Sequence, residues 1–123
     1  MFNPNFILLY VANPLASADF YAKLLGKPAI EKSPTFAMFA LESGVKLGLW
    51  AKHTVEPAVT ASQGGSELAF AVANNDIVTA QHNDWKERGL VIAQTPTAMD
   101  FGYTFVALDP DGNRLRVFAP SAP

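Results

Sequence analysis

The stretch SGVKLGLW, residues 43–50, has a second version in DGNRLRVF, residues 111–118. Both place a turn residue before a glycine, and both run into a strand that ends on an aromatic ring. In the second version Arg114, Arg116 and Phe118 fall on one face, Leu115 and Val117 on the other. In the first, Gly48 and Trp50 stand where Arg116 and Phe118 stand in the second. Self-similarity of this kind means that one supersecondary unit is used twice.

The match extends outward in both copies. Residues 6–11, FILLYV, read as a buried strand and correspond to residues 67–72, ELAFAV. A helix follows each. Asn13-Pro14 punctuates the first, with Asn13 or Ser17 able to cap a helix over 17–25 that carries Phe20 and Leu24 and stops at Gly26. Asn75 or Asp76 caps the second, which runs through Ala80 and Trp85 to Gly89. Strands at 29–31, 36–41 and 45–51 complete one copy, and strands at 90–93, 102–108 and 114–118 complete the other. Each copy is therefore β-α-β-β-β, and the class is α+β. The Thr-, Ser-, Pro- and Gly-rich residues 54–65 form the linker between module one (5–53) and module two (66–119). Neither module buries enough surface alone, so residues 1–123 are expected to form one domain.

Composition narrows the function. With 50% hydrophobic and only 16% charged residues, the chain folds rather than staying disordered, and part of its apolar surface is expected to be covered by a partner. A net charge of −2 without a basic cluster argues against nucleic acid. The absence of cysteine removes disulfides, thiol catalysis and thiolate metal sites, and fits the cytoplasm. No apolar run reaches the roughly 18 residues of a membrane span, and residues 1–6 lack a secretory pattern. His53 is expected in a polar loop and His82 on the outer side of the second helix, both solvated. No Ser-His-acid order and no glycine-rich phosphate loop is present, Gly64-Gly65 being a linker turn.

Leu9-Tyr10-Val11 with Ser17-Ala18-Asp19-Phe20-Tyr21 and Leu25-Gly26, then Glu67 to Val72 and Asp109-Pro110-Asp111-Gly112-Asn113, make the chain resemble the vicinal-oxygen-chelate superfamily. That family includes glyoxalase I, extradiol dioxygenases and the bleomycin- and phenazine-resistance proteins. The resemblance covers about residues 5–119 and is nearest the phenazine-resistance subgroup. It implies paired βαβββ modules forming a curled mixed sheet around a cavity, commonly in a homodimer. It also places the family's four metal-ligand positions on Phe6, Gly48, Glu67 and Arg116. One carboxylate among these cannot hold a divalent ion, since phenylalanine and glycine offer no donor and arginine stays charged. The expectation is thus a protein without a metal or other cofactor.

If the first member of each strand set faces the cavity, as the resemblance implies, its lining is Phe6, Tyr10, Trp50, Phe118, Glu67 and Arg116. Gly48 leaves room beside them. Flat walls and two charged groups suit a small planar aromatic molecule. Trp50 is the candidate for stacking on it. Arg116 is expected either to pair with Glu67 or to meet a ligand carboxylate. Residues 98–103, with Met99, Phe101 and Tyr103, are expected to form a flexible lip over the ligand. The Asp109–Asn113 turn is read as scaffolding. These residues favour metal-independent sequestration of an aromatic antibiotic or metabolite. The alternative is a glyoxalase- or dioxygenase-like enzyme with Glu67 as general base. An adjacent Arg116 would occupy that carboxylate and so favours binding.

Overall fold

The computed structural model describes residues 4–59 and 66–121. Most of the expected linker, with Gly64-Gly65, lies outside the described residues. Two compact units, Met1–Ser62 and Gln63–Pro123, divide the chain. The first contains β1 (Phe6–Val11), α1 (Pro14–Leu25), β2 (Glu31–Lys32), β3 (Phe36–Ala40) and β4 (Lys46–Ala51), followed by one 3-10 turn over Lys52–Thr54. The second contains β5 (Glu67–Ala71), α2 (Asn75–Glu87), β6 (Val91–Met99), β7 (Gly102–Leu108) and β8 (Arg114–Pro120).

Each unit has its own four-stranded mixed sheet, in the order β1-β4-β3-β2 and β5-β8-β7-β6. In both, the first strand runs parallel to the last, and the remaining pairs are antiparallel. The expectation of a curled sheet enclosing a cavity is therefore corrected. Among the described residues both sheets are open, with β1 and β2 as the edges of one and β5 and β6 of the other. Closing a sheet on itself takes about eight staggered strands, and four leave two edges unpaired.

The helices begin and end for local reasons. Pro14 supplies a helical φ at the first turn of α1, and Asn13 Oδ1 accepts from the Ala16 amide at 3.2 Å. That places the start three residues before Ser17. At the other end Gly26 adopts φ 73° and its amide donates to the Ala22 carbonyl. In α2 the cap is Asn74, one residue earlier than expected, with Oδ1 accepting from Ile77 N at 3.0 Å. Val78, His82 and Trp85 lie on one side of α2 at helical spacing and are buried. His82 is accordingly not on the outer side. It is only 9% exposed, its ring edge meets Phe105, and among the described residues its Nε2 has no hydrogen-bond partner.

Alternation then divides each sheet. In the first, Leu9, Val11, Ala37, Phe39, Leu47, Leu49 and Ala51 are buried, as are Ala18 and Tyr21 of α1. In the second, Phe105, Ala107, Leu115, Val117 and Ala119 are buried with Val78 and Trp85 of α2. The opposite face of each sheet is left for other work. Among the described residues, no helix is long and apolar enough to cross a membrane.

Strand β6 runs on to Met99, six residues beyond the expected end. Register shifts between Ile92 and Gln94 and between Gln94 and Thr97 absorb Pro96, which an edge strand tolerates. The expected lip at 98–103 is thus mostly paired strand, with the turn confined to Asp100-Phe101. Gly102 pairs with Met99 across it. A Cβ at Gly102 would stand 2.1 Å from the Ala119 carbonyl oxygen, and φ is 148°. Only glycine fits there.

Candidate functional site

On the first unit, Phe6, Leu8 and Tyr10 point away from the buried face and are 42%, 41% and 43% exposed. The parallel register sets Leu8 beside Gly48 and Tyr10 beside Trp50, and the antiparallel register sets Phe36 beside Trp50. Phe6, Leu8, Phe36 and Trp50 line a concavity of about 440 Å³. Its lining is almost wholly apolar carbon. Tyr10 contributes one step away, its ring edge-on to Trp50 at 6.4 Å and 74°.

Gly48 does more than leave volume. A Cβ built on it would lie 2.6 Å from Leu8 Cδ2, 2.8 Å from Phe6 Cε1 and 3.0 Å from Phe36 Cζ. The tips of three side chains therefore converge over the glycine and form the floor of the basin. Neither Leu8 nor Phe36 is among the site residues expected from sequence. Counting outward from the Ser43-Gly44 turn would have found Phe36, because that hairpin register pairs it with Trp50.

The corresponding face of the second unit is polar at its centre. Arg116 Nε donates to Glu67 Oε2 at 3.1 Å. Its Nη1 donates to Thr104 Oγ1 at 3.2 Å and Gln94 Oε1 at 3.4 Å. The Thr104 hydroxyl gives its own proton to the Val117 carbonyl at 2.9 Å, so its oxygen faces Arg116 as a fixed acceptor. The guanidinium lies over the Phe101 ring, 5.5 Å from its centroid, and Phe101 meets Phe118 edge-on at 5.9 Å. Side-chain exposure is 16% for Arg116 and 37% for Glu67, so the carboxylate is the more open partner.

Gln94 and Thr104 were not foreseen. Gln94 lay beyond the expected end of its strand, and Thr104 is visible only as the register partner of Phe118. Met99 closes the β6–β7 hairpin, and Gln94 Nε2 donates to its sulfur at 3.5 Å. Tyr103 pairs with Ala119, one step out of phase with the Thr104–Phe118 pair, and so points to the other face from Arg116. There it lines, with Asn75, Met99 and Ser121, a smaller hollow of about 260 Å³.

The donor set does not suit a metal. Glu67 is the one carboxylate among the four positions that the resemblance marks, and an arginine already holds it. Among the described residues, no three His, Cys, Asp or Glu side chains come together. The Asp109 carboxylate is spent on its own turn. Oδ1 accepts from Asp111 N at 2.9 Å and Asn113 N at 2.8 Å, and Oδ2 from Asn113 Nδ2 at 3.0 Å.

Comparison with known proteins adds four findings. A family model described as the Glyoxalase/Bleomycin resistance protein/Dioxygenase superfamily matches residues 3–117. The chain is 28% identical over 117 residues to the phenazine antibiotic resistance protein EhpR of Enterobacter agglomerans, across 93% of this chain and 89% of that one. Among solved structures, a protein of Agrobacterium tumefaciens determined by NMR in solution is 51% identical, with a TM-score of 0.90 over 99% of this chain and 100% of that one. A glyoxalase/bleomycin resistance protein/dioxygenase from Nocardioides shares the fold at a TM-score of 0.83 and 22% identity, over 98% of this chain and 84% of that one.

Proposed function

Because the chain belongs to the glyoxalase/bleomycin resistance protein/dioxygenase superfamily, we propose that it binds a small planar aromatic molecule and acts by sequestering it. The ligand class is a phenazine-like antibiotic or metabolite. The observation that carries this reading is the apolar basin of Phe6, Leu8, Phe36 and Trp50. A basin of that volume accepts a fused-ring system, and an indole at its wall offers a flat surface for offset stacking. Likeness to a phenazine antibiotic resistance protein supports the same class. Polar groups are lacking in the basin, so ring contact rather than chemistry is what it provides.

The competing reading is an enzyme with Glu67 as base. Its carboxylate is engaged by Arg116 Nε, and a base that must first release a guanidinium is poorly placed to take a proton. Binding is therefore the stronger proposal. The proposal extends to a homodimer, since the exposed Ile7, Leu15 and Ile30 of the first unit are apolar surface that a partner copy would cover, and to the cytoplasm, which a chain without cysteine fits.

Tryptophan fluorescence titration against phenazines and bleomycins tests the proposal. Quenching that saturates is expected, with affinity reduced about tenfold or more in Trp50→Ala. Trp85 is buried and serves as the internal reference. Equal affinity in wild type and Trp50→Ala would remove the basin from the binding site. Turnover of a glyoxal–thiol adduct by the purified chain would favour the enzyme instead.

A further inference from the structure

The Arg116 cluster of the second unit carries a prediction of its own, about the polar group that an aromatic ligand bears there, and it rests on the proposed binding of a planar aromatic molecule. Read alone, an arginine beside two phenylalanine rings suggests a carboxylate receptor. Its surroundings say otherwise. Three protein acceptors, Glu67 Oε2, Thr104 Oγ1 and Gln94 Oε1, already take hydrogen bonds from Nε and Nη1. The Glu67 charge balances the guanidinium, and Glu67 is the more exposed of the two. An incoming carboxylate would meet a like charge at the mouth of the cluster before it reached Arg116, and it could take the guanidinium in bidentate fashion only by displacing Glu67.

The atoms left open describe a different ligand. Among the described residues, Glu67 Oε1 and Arg116 Nη2 make no hydrogen bond, and Gln94 Nε2 has only the Met99 sulfur, a weak acceptor. One acceptor therefore stands near two donors, with no net charge between them. The Phe101 and Phe118 rings lie beside this arrangement.

We propose that the cluster selects a planar aromatic ligand whose edge carries a neutral donor–acceptor pair, as a primary carboxamide does, over the same ring bearing a free carboxylate. The carboxamide N–H donates to Glu67 Oε1, and its carbonyl accepts from Arg116 Nη2 or Gln94 Nε2.

Isothermal titration with phenazine, phenazine carboxamide and phenazine carboxylic acid, substituted at one ring position and held at neutral pH, tests this. The carboxamide is expected to bind about tenfold more tightly than the carboxylate, the difference made by one unmatched charged hydrogen bond. In Glu67→Gln the negative charge is gone, and the order is expected to reverse. A carboxylate that binds the wild-type chain as well as or better than the carboxamide overturns the selection while leaving aromatic binding intact. No heat with any of the three compounds overturns the binding reading and the selection together. Should Glu67→Gln not fold, the wild-type order decides alone.

Discussion

Gly48 and Arg116 occupy the same place in two sheets of the same strand order, each four residues past a left-handed glycine, Gly44 or Gly112. Their neighbours have adapted in opposite ways. Around Gly48 the tips of Leu8, Phe6 and Phe36 lean inward and make an apolar floor. Around Arg116 a carboxylate, a hydroxyl and an amide oxygen converge on the guanidinium. Backbone topology is shared and chemistry is not: Phe6, Phe36 and Gly48 in one sheet stand where Glu67, Thr104 and Arg116 stand in the other, and together they make one open face greasy and the other polar. The turns before the two strands differ in the same manner. Both close with a backbone pair, Leu41 N to Val45 O and Asp109 N to Asn113 O, each at 2.9 Å. Only the second adds a side chain that binds three further donors.

The comparison can be broken at three points. The largest effect is expected at Gly102, which has backbone against it rather than the flexible tips that surround Gly48. Gly102→Ala should destabilise the second unit by about 3 kcal/mol or more, seen as loss of its cooperative unfolding transition in thermal denaturation. A stable Gly102→Ala chain would mean that β7 and β8 separate easily. Next comes the turn. Asp109→Ala should cost about 2–3 kcal/mol because buried amides lose their acceptor, whereas Leu41→Ala should cost about 1 kcal/mol. Equal losses in chemical denaturation would deny Asp109 its special part. The smallest effect on stability belongs to Gly48→Ala, about 1 kcal/mol, since side-chain tips can yield where a carbonyl cannot. Its signature should instead be weaker phenazine binding, because the yielding tips are the basin floor. Unchanged affinity in fluorescence titration would separate the floor from the binding surface.

Much of this architecture was legible because the strands carry their own punctuation. The match between residues 43–50 and 111–118 gave the modular plan, and Gly26 and Gly89 marked both helix ends. The helix starts slipped by up to three residues because several Asn and Ser side chains competed as caps. Openness of the sheets was not legible, since alternation fixes which face a residue takes but not how strands wrap. His82 was misjudged where its spacing from Val78 and Trp85 was the better guide than its polarity. In the site, residues on strands matched through the repeat fell on the expected faces. Phe36, Gln94 and Thr104 were missed because their places depend on cross-strand register, and Tyr103, expected on a lip over the ligand, lies on paired strand and points to the other face from Arg116.

The pairing of first strand with last sets an order in time. Among the described residues, β1 has β4 as its one strand neighbour, and β5 has β8. Phe6 must wait for Lys46, and Glu67 for Arg114, before either ladder can start. Each sheet can therefore begin as a local hairpin, β3 with β4 or β7 with β8, but is finished only by a long-range closure that costs chain entropy before contacts repay it. On the ribosome the opening strand of each module emerges first and stays unpaired longest. β8, placed between β5 and β7, is the strand on which β5 waits to join the second sheet.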